Sequence, residues 1–291
     1  MLPALAAIFV VVLFPLTYSL WLSFTDVNLL RTTGPAIELF GVRVPLFRWI
    51  GLRNYLRIVD DPLYWSSLWR TLYFVGAFVL EATLIGMGMA LVLHERFRGR
   101  PVMRSLLLIP WSLSRVVVGL LWIGILDFEF GMLNGVLARL GLIDGYISFL
   151  RDGFTALNVL VSVYMWNQAP FATLLFLAGM QSISTDLYSA AEVDGAGYWQ
   201  RVRRVIFPLT LRTVLLVTLV SVIGSLLAFD QFYIMTAGQP SNETATSVFF
   251  VYLNSFPYLR LGYGAALSLV LAVTILAFTI VQMVLTRRSN P

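Results

Sequence analysis

Long apolar segments constrain this chain more than any other feature of its sequence. Of its 291 residues, 59% are hydrophobic and only 12% are charged, and the mean hydropathy is +0.83. Soluble domains carry about a quarter charged residues, so the chain is an integral membrane protein. A helix needs roughly 20 apolar residues to cross a bilayer. Six segments meet this requirement: residues 2–24, 71–94, 105–126, 155–180, 213–236 and 262–286.

We therefore predict an all-α polytopic membrane protein with six transmembrane helices and one transmembrane domain over residues 1–291. The first segment has no basic region before it and no small-residue cleavage site, so we expect a retained span. In the second span, Ala82, Gly86 and Ala90 form a small-residue stripe that favours close helix packing. Glu81 lies beside this stripe, where a carboxylate must face the bundle or a wet cavity.

The positions of the arginines predict the orientation of the chain. All 20 basic residues are Arg. Ten lie in the 47 residues of one set of loops, and nine lie in the 99 residues of the other set. The arginine-dense set should be cytoplasmic by the positive-inside rule, which places both termini in the cytoplasm. Its loops are residues 94–104, 182–212 and 287–291, and the sparse loops are residues 25–70, 127–154 and 237–261.

Several residue types are missing, and their absence excludes several functions. Without Lys, the chain cannot form a standard phosphate-binding loop. Without Cys, it has no thiol chemistry, and its one histidine, His94, sits at the end of a span as an interfacial residue. No HExxH or GxSxG pattern occurs, so we expect no catalytic residue, no metal and no cofactor in this chain. The net charge of +5 is explained by the arginines at the ends of the spans. The sequence has no basic stripe with interleaved aromatic residues, so we expect no nucleic-acid binding.

Residues 185–208 form a polar, Arg-rich segment between the fourth and fifth spans. Its first part contains strong helix formers, and Gly195 and Gly197 then favour a sharp turn. The residues after the turn recur at three- and four-residue steps and predict an apolar helical face, made by Trp199, Val202 and Ile206. Pro208 should end or kink that helix. The segment is predicted to be a helix-turn-helix at the membrane surface.

This segment resembles the EAA loop of bacterial ABC importer permeases. The loop's pattern is Glu-Ala-Ala, three residues, Gly, nine residues, then Ile-x-Leu-Pro. Here three residues separate Ala191 from Gly195, and nine residues separate Gly195 from the sequence Val-Ile-Phe-Pro that ends at Pro208. The resemblance extends over nearly the whole chain and is greatest to the maltose-type, carbohydrate-importing branch.

The resemblance implies the type I importer fold, in which this loop is a coupling helix that docks on a separate ATPase subunit. The residues that match the coupling motif are Ser189, Ala190, Ala191, Glu192, Asp194, Gly195 and Pro208. Ser189 stands where the family has Glu, and Glu192 is a candidate substitute for it. The implied partners are a second homologous permease, two ATPase subunits that bind ATP and Mg, an extracytoplasmic solute-binding protein and the lipid bilayer.

The same resemblance implies a carbohydrate pathway along the third, fourth and fifth spans. The matching residues are Trp111, Arg115, Asn167, Gln168, Phe171, Ser221 and Ser225. Aromatic faces pack on sugar rings, and amides and hydroxyls bond ring hydroxyls. We expect Pro110 to break the third span, with Trp111 and Arg115 one turn apart on one face. Pro170 should interrupt the fourth span, where the two amides either repair the backbone or bind solute.

Arg115 leaves two alternatives open within this family. One is an anionic solute, such as a glycerophosphodiester or an acidic sugar; the other is that Arg115 pairs with Glu81 or Asp230. A different class of protein, a proton-coupled secondary transporter, would use Glu81 and Asp230 as a proton relay.

Overall fold

The computed structural model describes residues 9–30, 36–39, 42–45 and 48–288, with side chains over residues 9–30 and 48–284. The start of the predicted first span, parts of the first loop and residues 289–291 lie outside the described residues. The described elements are almost all helical. They are α1 (Phe9–Ser23), β1 (Ala36–Leu39), β2 (Val42–Pro45), α2 (Arg53–Val59), α3 (Pro62–His94), α4 (Arg100–Ser112), α5 (Arg115–Leu126), α6 (Met132–Arg139), α7 (Gly153–Gln181), α8 (Thr185–Val193), α9 (Tyr198–Leu209), α10 (Leu211–Leu226), α11 (Asp230–Met235), α12 (Ser247–Ser255) and α13 (Leu261–Arg288).

The helical class predicted from composition is confirmed, with one small exception in the first loop. There β1 and β2 form an antiparallel hairpin in which Ala36 pairs with Pro45 and Leu39 pairs with Val42. The apolar periodicity of the spans could not predict this hairpin, because it lies between them.

Three described helices are long and apolar enough to cross a membrane alone, namely α3, α7 and α13 over Leu261–Val284. Two bent pairs, α4 with α5 and α9 with α10, pass the same test only if each pair is one span. The apolar helix α1 is shorter over its described residues. The count of six spans therefore stays a prediction.

Several helices begin or end at residues other than the limits of the predicted spans. Helix α3 begins at Pro62 and not at residue 71, because proline suits the first helical turn and the Asp61 side chain accepts the Leu63 N–H at 2.9 Å. The fifth predicted span ends at Leu226, and residues 230–235 form the separate helix α11. Helix α7 runs unbroken through Pro170, so the predicted interruption of the fourth span is absent.

The third predicted span is divided by a bend of 96° between α4 and α5. The break lies after Pro110, at Leu113 and Ser114, whose backbone is extended. Ser114 caps α5 by accepting the Val117 N–H. Trp111 and Arg115 therefore lie on different helices and do not share a helical face.

The described chain forms two compact units. The first contains residues 1–71 and 245–278, and the second contains residues 72–244 and 279–291. The core of the first unit comprises Ile58, Tyr64, Phe250, Tyr263, Ala266 and Leu267. In the second unit, a buried cluster joins α3, α7, α9 and α10, and its members are Ala90, Leu93, Ala172, Phe176, Leu177, Met180, Ile206 and Val217.

The small-residue stripe of α3 lies in the interior of the second unit. Ala82, Gly86 and Ala90 are buried. A Cβ built on Gly86 would lie 2.9 Å from the Cβ of Ala172 on α7 and 3.4 Å from backbone atoms of α7. The predicted role of the stripe in close helix packing is therefore confirmed.

Candidate solute cavity and coupling loop

A cavity of about 170 Å³ lies within the second unit, among helices α3, α4, α5, α7 and α10. Five of the seven predicted pathway residues line it: Trp111, Arg115, Gln168, Phe171 and Ser221. The bend after α4 explains how Trp111 and Arg115 reach the same cavity from different helices. The cavity is walled mainly by apolar side chains.

Aromatic rings form one side of this cavity. Trp111 stacks on Phe171 with ring centroids 5.6 Å apart and planes inclined by 15°. Phe78 and Tyr164 also line the cavity, and they meet edge to face at 4.7 Å. The Tyr164 hydroxyl donates to the Gly224 carbonyl oxygen at 2.9 Å, which holds α7 against α10. A flat apolar ring face can pack on these aromatic surfaces.

Arg115 is the charged residue among those that line the cavity. Its guanidinium lies 5.4 Å from the centre of the Tyr164 ring and 4.0 Å from Oδ2 of Asp230. Arg115 and Asp230 begin α5 and α11, which pack closely where Gly119 faces Ile234. The alternative in which Arg115 pairs with Asp230 thus has a geometric basis. Oε2 of Glu81 is buried and has no hydrogen-bond partner among the described residues.

Two predicted pathway residues do not line the cavity. Asn167 is buried, and its amide nitrogen donates to the Pro110 carbonyl oxygen at 2.6 Å. That carbonyl belongs to the last turn of α4, where it otherwise accepts only the Leu113 N–H at 3.4 Å. Asn167 thus hydrogen-bonds the backbone of the neighbouring helix α4 and not the backbone of its own helix. Ser225 is also buried, and its hydroxyl donates to the Ser221 carbonyl oxygen at 2.7 Å.

Several cavity residues were not predicted, although helical periodicity points to some of them. Tyr164 and Leu175 share the face of α7 that carries Gln168 and Phe171, at steps of three and four residues. Val217 and Gly224 share the face of α10 that carries Ser221. Phe78 gave no such signal, because its helix carries no predicted pathway residue.

The polar segment 185–208 forms the helix-turn-helix that its sequence predicts. Helix α8 is capped by Ser184, whose Oγ accepts the Asp186 N–H at 3.2 Å. Helix α9 follows after four residues and meets α10 at a bend of 65° close to Pro208. Pro208 lies within the last turn of α9, which ends one residue later at Leu209.

The turn between α8 and α9 depends on Gly195. Its φ is +70°, in the left-handed region that glycine adopts without strain. The Ala196 N–H donates to the Ala191 carbonyl oxygen at 2.9 Å, and the Gly195 N–H donates to the Glu192 carbonyl oxygen at 3.0 Å. These two bonds form a Schellman motif. The Asp194 N–H continues the helical ladder to the Ala190 carbonyl oxygen at 2.9 Å.

The loop's surface differs from the predicted one in one respect. Ile206 is buried and Val202 packs on the same core, but Trp199 is 75% exposed. Trp199 therefore lies on the predicted apolar face without being buried as Ile206 is, because the core beneath α9 ends before its first turn. Val193, at the end of α8, is 88% exposed. The loop thus presents two large apolar side chains outward.

The remaining motif residues are displayed on this same loop. Ser189, Ala190 and Asp194 are exposed, and the Ser189 hydroxyl donates to the Thr185 carbonyl oxygen at 3.2 Å. Glu192 forms a salt bridge with Arg201, which joins α8 to α9. The Glu192 carboxylate therefore has a partner within this chain.

Tyr188 connects the loop to a long apolar helix. Its ring lies 5.5 Å from that of His94, the last residue of α3, and it packs on the core cluster of the second unit. Burial raises the pKa of the Tyr188 phenol, and the nearby Glu95 carboxylate raises it further. The hydroxyl stays neutral at physiological pH, and the ring contact joins α8 to the end of α3.

The fold and site together define a helical membrane transport protein, with a cavity between its apolar helices and an exposed helix-turn-helix beside them. Residues 82–291 match the family described as the binding-protein-dependent transport system inner membrane component. The chain belongs to this family, and it is a permease subunit of an ABC transporter.

Two relatives are similar over almost the full length. The trehalose/maltose transport system permease protein MalF of Thermococcus litoralis is 34% identical over 284 residues, which cover 97% of this chain and 90% of the relative. The sulfoquinovosyl glycerol transport system permease protein SmoG of Agrobacterium fabrum is 31% identical over 288 residues, covering 99% and 89%. Family membership leaves no support for the proton-coupled alternative.

A solved structure shows the same fold. A chain in the crystal structure of a bacterial alginate ABC transporter, in complex with an alginate pentasaccharide-bound periplasmic protein, superposes with a TM-score of 0.83. The match covers 99% of this chain and 92% of that chain at 21% identity.

Proposed function

We propose that this permease subunit passes a sugar or sugar-related solute across the bacterial cytoplasmic membrane, with both termini in the cytoplasm. The observation that carries the proposal is the cavity, which is lined by a stacked Trp111 and Phe171 pair together with Gln168 and Ser221. Sugar sites combine aromatic faces with a few hydrogen-bonding groups in this way. The trehalose/maltose and sulfoquinovosyl glycerol systems of the two relatives support the same class of solute.

The assembly consists of this chain, a second homologous permease, two ATPase subunits and an extracytoplasmic solute-binding protein. This chain has no Lys for a phosphate-binding loop, so ATP and Mg are bound by the ATPase subunits. Docking of those subunits on residues 185–208 would move α8. The contact of Tyr188 with His94, and of Val202 and Ile206 with the core, would carry that movement to the helices that line the cavity.

The charge of the solute can be tested at Arg115 and Asp230. We favour a neutral sugar, because Asp230 lies 4.0 Å from the Arg115 guanidinium and balances its charge. Each of Arg115→Gln and Asp230→Asn should then lower uptake about tenfold, since each leaves one charge uncompensated near the cavity. The double variant should recover most of the activity, as expected for two interacting residues. The measurement is the uptake of neutral and of acidic sugars by reconstituted complexes that carry the single variants or the double variant.

The second candidate is an acidic sugar, which the sulfoquinovosyl glycerol system of one relative and the part-exposed Arg115 side chain favour. In that case every variant that lacks Arg115 loses uptake of the anion selectively, and Asp230→Asn does not restore it. That result would contradict the neutral-sugar proposal. A glycerophosphodiester would behave in the same way.

The exposed apolar side chains of the loop predict where the ATPase docks. Trp199 is 75% exposed in the isolated chain, and tryptophans buried at interfaces often contribute about 2 kcal/mol or more to binding. Trp199→Ala should therefore reduce the amount of ATPase that copurifies with the permeases by at least about tenfold. Phe130→Ala is the matched control, because Phe130 is 88% exposed in the loop predicted to lie across the membrane. Equal ATPase recovery with Trp199→Ala would contradict this docking surface.

A further inference from the structure

A second cavity, in the first compact unit, is not part of the solute pathway. Its volume is about 310 Å³, roughly ten times the volume that one water molecule occupies in the liquid. Three arginines line it, together with two asparagines and one aspartate. The full lining is Asp26, Val27, Asn28, Ile50, Arg53, Asn54, Arg57, Arg260 and Tyr263.

Backbone and side-chain hydrogen bonds hold the walls of this cavity in place. The buried Asn54 amide donates to the carbonyl oxygens of Ser23 and Thr25, both at 2.8 Å, and fixes α2 to the end of α1. The Gly262 N–H donates to the Val27 carbonyl oxygen at 3.0 Å, which fixes the start of α13 to the same segment. The arginines are thus mounted on two chain segments, α2 and the residue before α13, which these hydrogen bonds hold against the end of α1.

The cavity carries an excess of positive charge. Asp26 is the one carboxylate among the lining residues, and its Oδ1 accepts the backbone N–H of Arg48 at 2.7 Å. Within the described part of the chain, Arg53, Arg57 and Arg260 form no salt bridge. Guanidinium groups that face one polar cavity without carboxylate partners favour an anion with several acceptor oxygens.

One of these guanidinium groups is positioned by an aromatic ring. The Arg57 guanidinium lies 4.5 Å from the centre of the Tyr263 ring. Tyr263 is itself buried, and its hydroxyl donates to Oδ2 of Asp61 at 2.8 Å. Stacking on a ring that is held in this way keeps the guanidinium facing the cavity, so its donors need little ordering when an anion binds.

The surroundings of the cavity are those of a membrane surface. Helix α1 ends beside it, and the apolar helices α3 and α13 begin beside it. Helix α2 exposes Leu56 and Val59 on one side, while Arg53 and Arg57 face the cavity. Trp49, next to the lining residue Ile50, and Trp65, whose indole N–H donates to the Val59 carbonyl oxygen of α2, are exposed, as is typical of aromatic residues at the level of lipid headgroups. Apolar side chains next to an arginine cavity suit acyl chains next to a phosphate.

We propose that this cavity binds the phosphodiester of an anionic phospholipid, whose acyl chains cover the exposed apolar side of α2. Arg53, Arg57 and Arg260 bind the phosphate oxygens, and Asn28 lies at the cavity wall where it can bond the headgroup. The bound lipid ties α1, α2 and α13 together at the membrane surface. Free phosphate has the same oxygen chemistry, and the experiment below separates the two sources.

The test uses the complete transporter complex, delipidated in detergent and titrated with phosphatidylglycerol, phosphatidylcholine or inorganic phosphate. Native mass spectrometry counts the bound lipid. The complex should retain phosphatidylglycerol more tightly than phosphatidylcholine, and Arg53→Gln/Arg57→Gln should weaken this retention at least about tenfold. Arg139→Gln is the matched control, because Arg139 is an exposed arginine at the end of α6 in a loop predicted to face the same side.

Arg260→Gln alone provides a second variant if the double variant does not assemble, and it should weaken retention in the same direction. Unchanged phosphatidylglycerol retention in the arginine variants would overturn the proposal. Displacement of the lipid by millimolar inorganic phosphate would assign the cavity to free phosphate and overturn the lipid assignment. Unchanged lipid retention with loss of solute-binding-protein docking would assign these arginines to that protein instead.

Discussion

Gly195→Val is expected to abolish ATP-driven uptake while the chain still inserts into the membrane. Gly195 has a φ of +70°, and residues with a Cβ pay about 1–2 kcal/mol in this region, with a larger cost when they are β-branched. A Cβ on Gly195 would meet no atom within 4 Å, so the cost comes from the backbone and not from crowding. Loss of the Schellman turn would change the angle between α8 and α9.

Uptake should therefore fall at least about tenfold, since about 1.4 kcal/mol corresponds to a factor of ten. The measurement is solute uptake by complexes in proteoliposomes with ATP inside, together with their ATPase activity. Gly195→Asn is the matched control, because Asn tolerates the left-handed region, and it should retain most of the activity. Gly195→Ala should lie between the two.

If Gly195→Asn were as inactive as Gly195→Val, uptake would depend on the absence of a side chain at position 195 and not on the left-handed backbone conformation. A fully active Gly195→Val would show that the turn does not transmit work from the ATPase.

Gly86→Leu is expected to prevent stable folding of the second unit. The Cβ of any residue at position 86 would lie 2.9 Å from the Ala172 Cβ and 3.4 Å from the backbone of α7. Backbone atoms cannot move aside as a flexible side chain does. Overpacking by even small groups costs about 1–3 kcal/mol, and a leucine adds a whole branched side chain, so we expect a loss of at least about 3 kcal/mol.

The measurement is the amount of folded chain in membranes and its thermal denaturation in detergent. Gly88→Leu is the matched control, because Gly88 lies two residues further along α3, is exposed and has no atom within 4 Å of a built Cβ. Equal losses at positions 86 and 88 would indicate that glycine is needed for helix insertion and not for packing against α7.

Much of the coupling loop could be predicted because its signals are local. The spacing of Gly195 from the Ala-Ala pair predicted the turn, and a left-handed glycine with two closing hydrogen bonds is found there. The exposure of Trp199 could not be predicted. Trp199 and Ile206 belong to the same apolar pattern of α9. Whether each side chain is buried depends on how far the core beneath the helix extends.

Less of the cavity than of the loop could be predicted from the sequence. Matching the motif selected five residues that line it, but Trp111 and Arg115 were predicted on one helical face, and they line the cavity from two helices joined by a bend of 96°. The amide of Asn167 was expected at a break in its own helix, and it instead satisfies Pro110 on α4. A carbonyl at the end of one helix can be bonded from any neighbour, and the chain order does not say which neighbour is near.

The sequence by itself determined that this chain crosses the membrane, that residues 185–208 form a helix-turn-helix and that the chain cannot hold a standard ATP-binding loop. These properties follow from composition, from periodicity within one helix and from the backbone freedom of single glycines, which all act over a few residues. Only the tertiary structure decided which side chains share a cavity and which of the two carboxylates, Glu81 or Asp230, lies near Arg115. These pairings depend on helix bends and on contacts between residues distant in the chain.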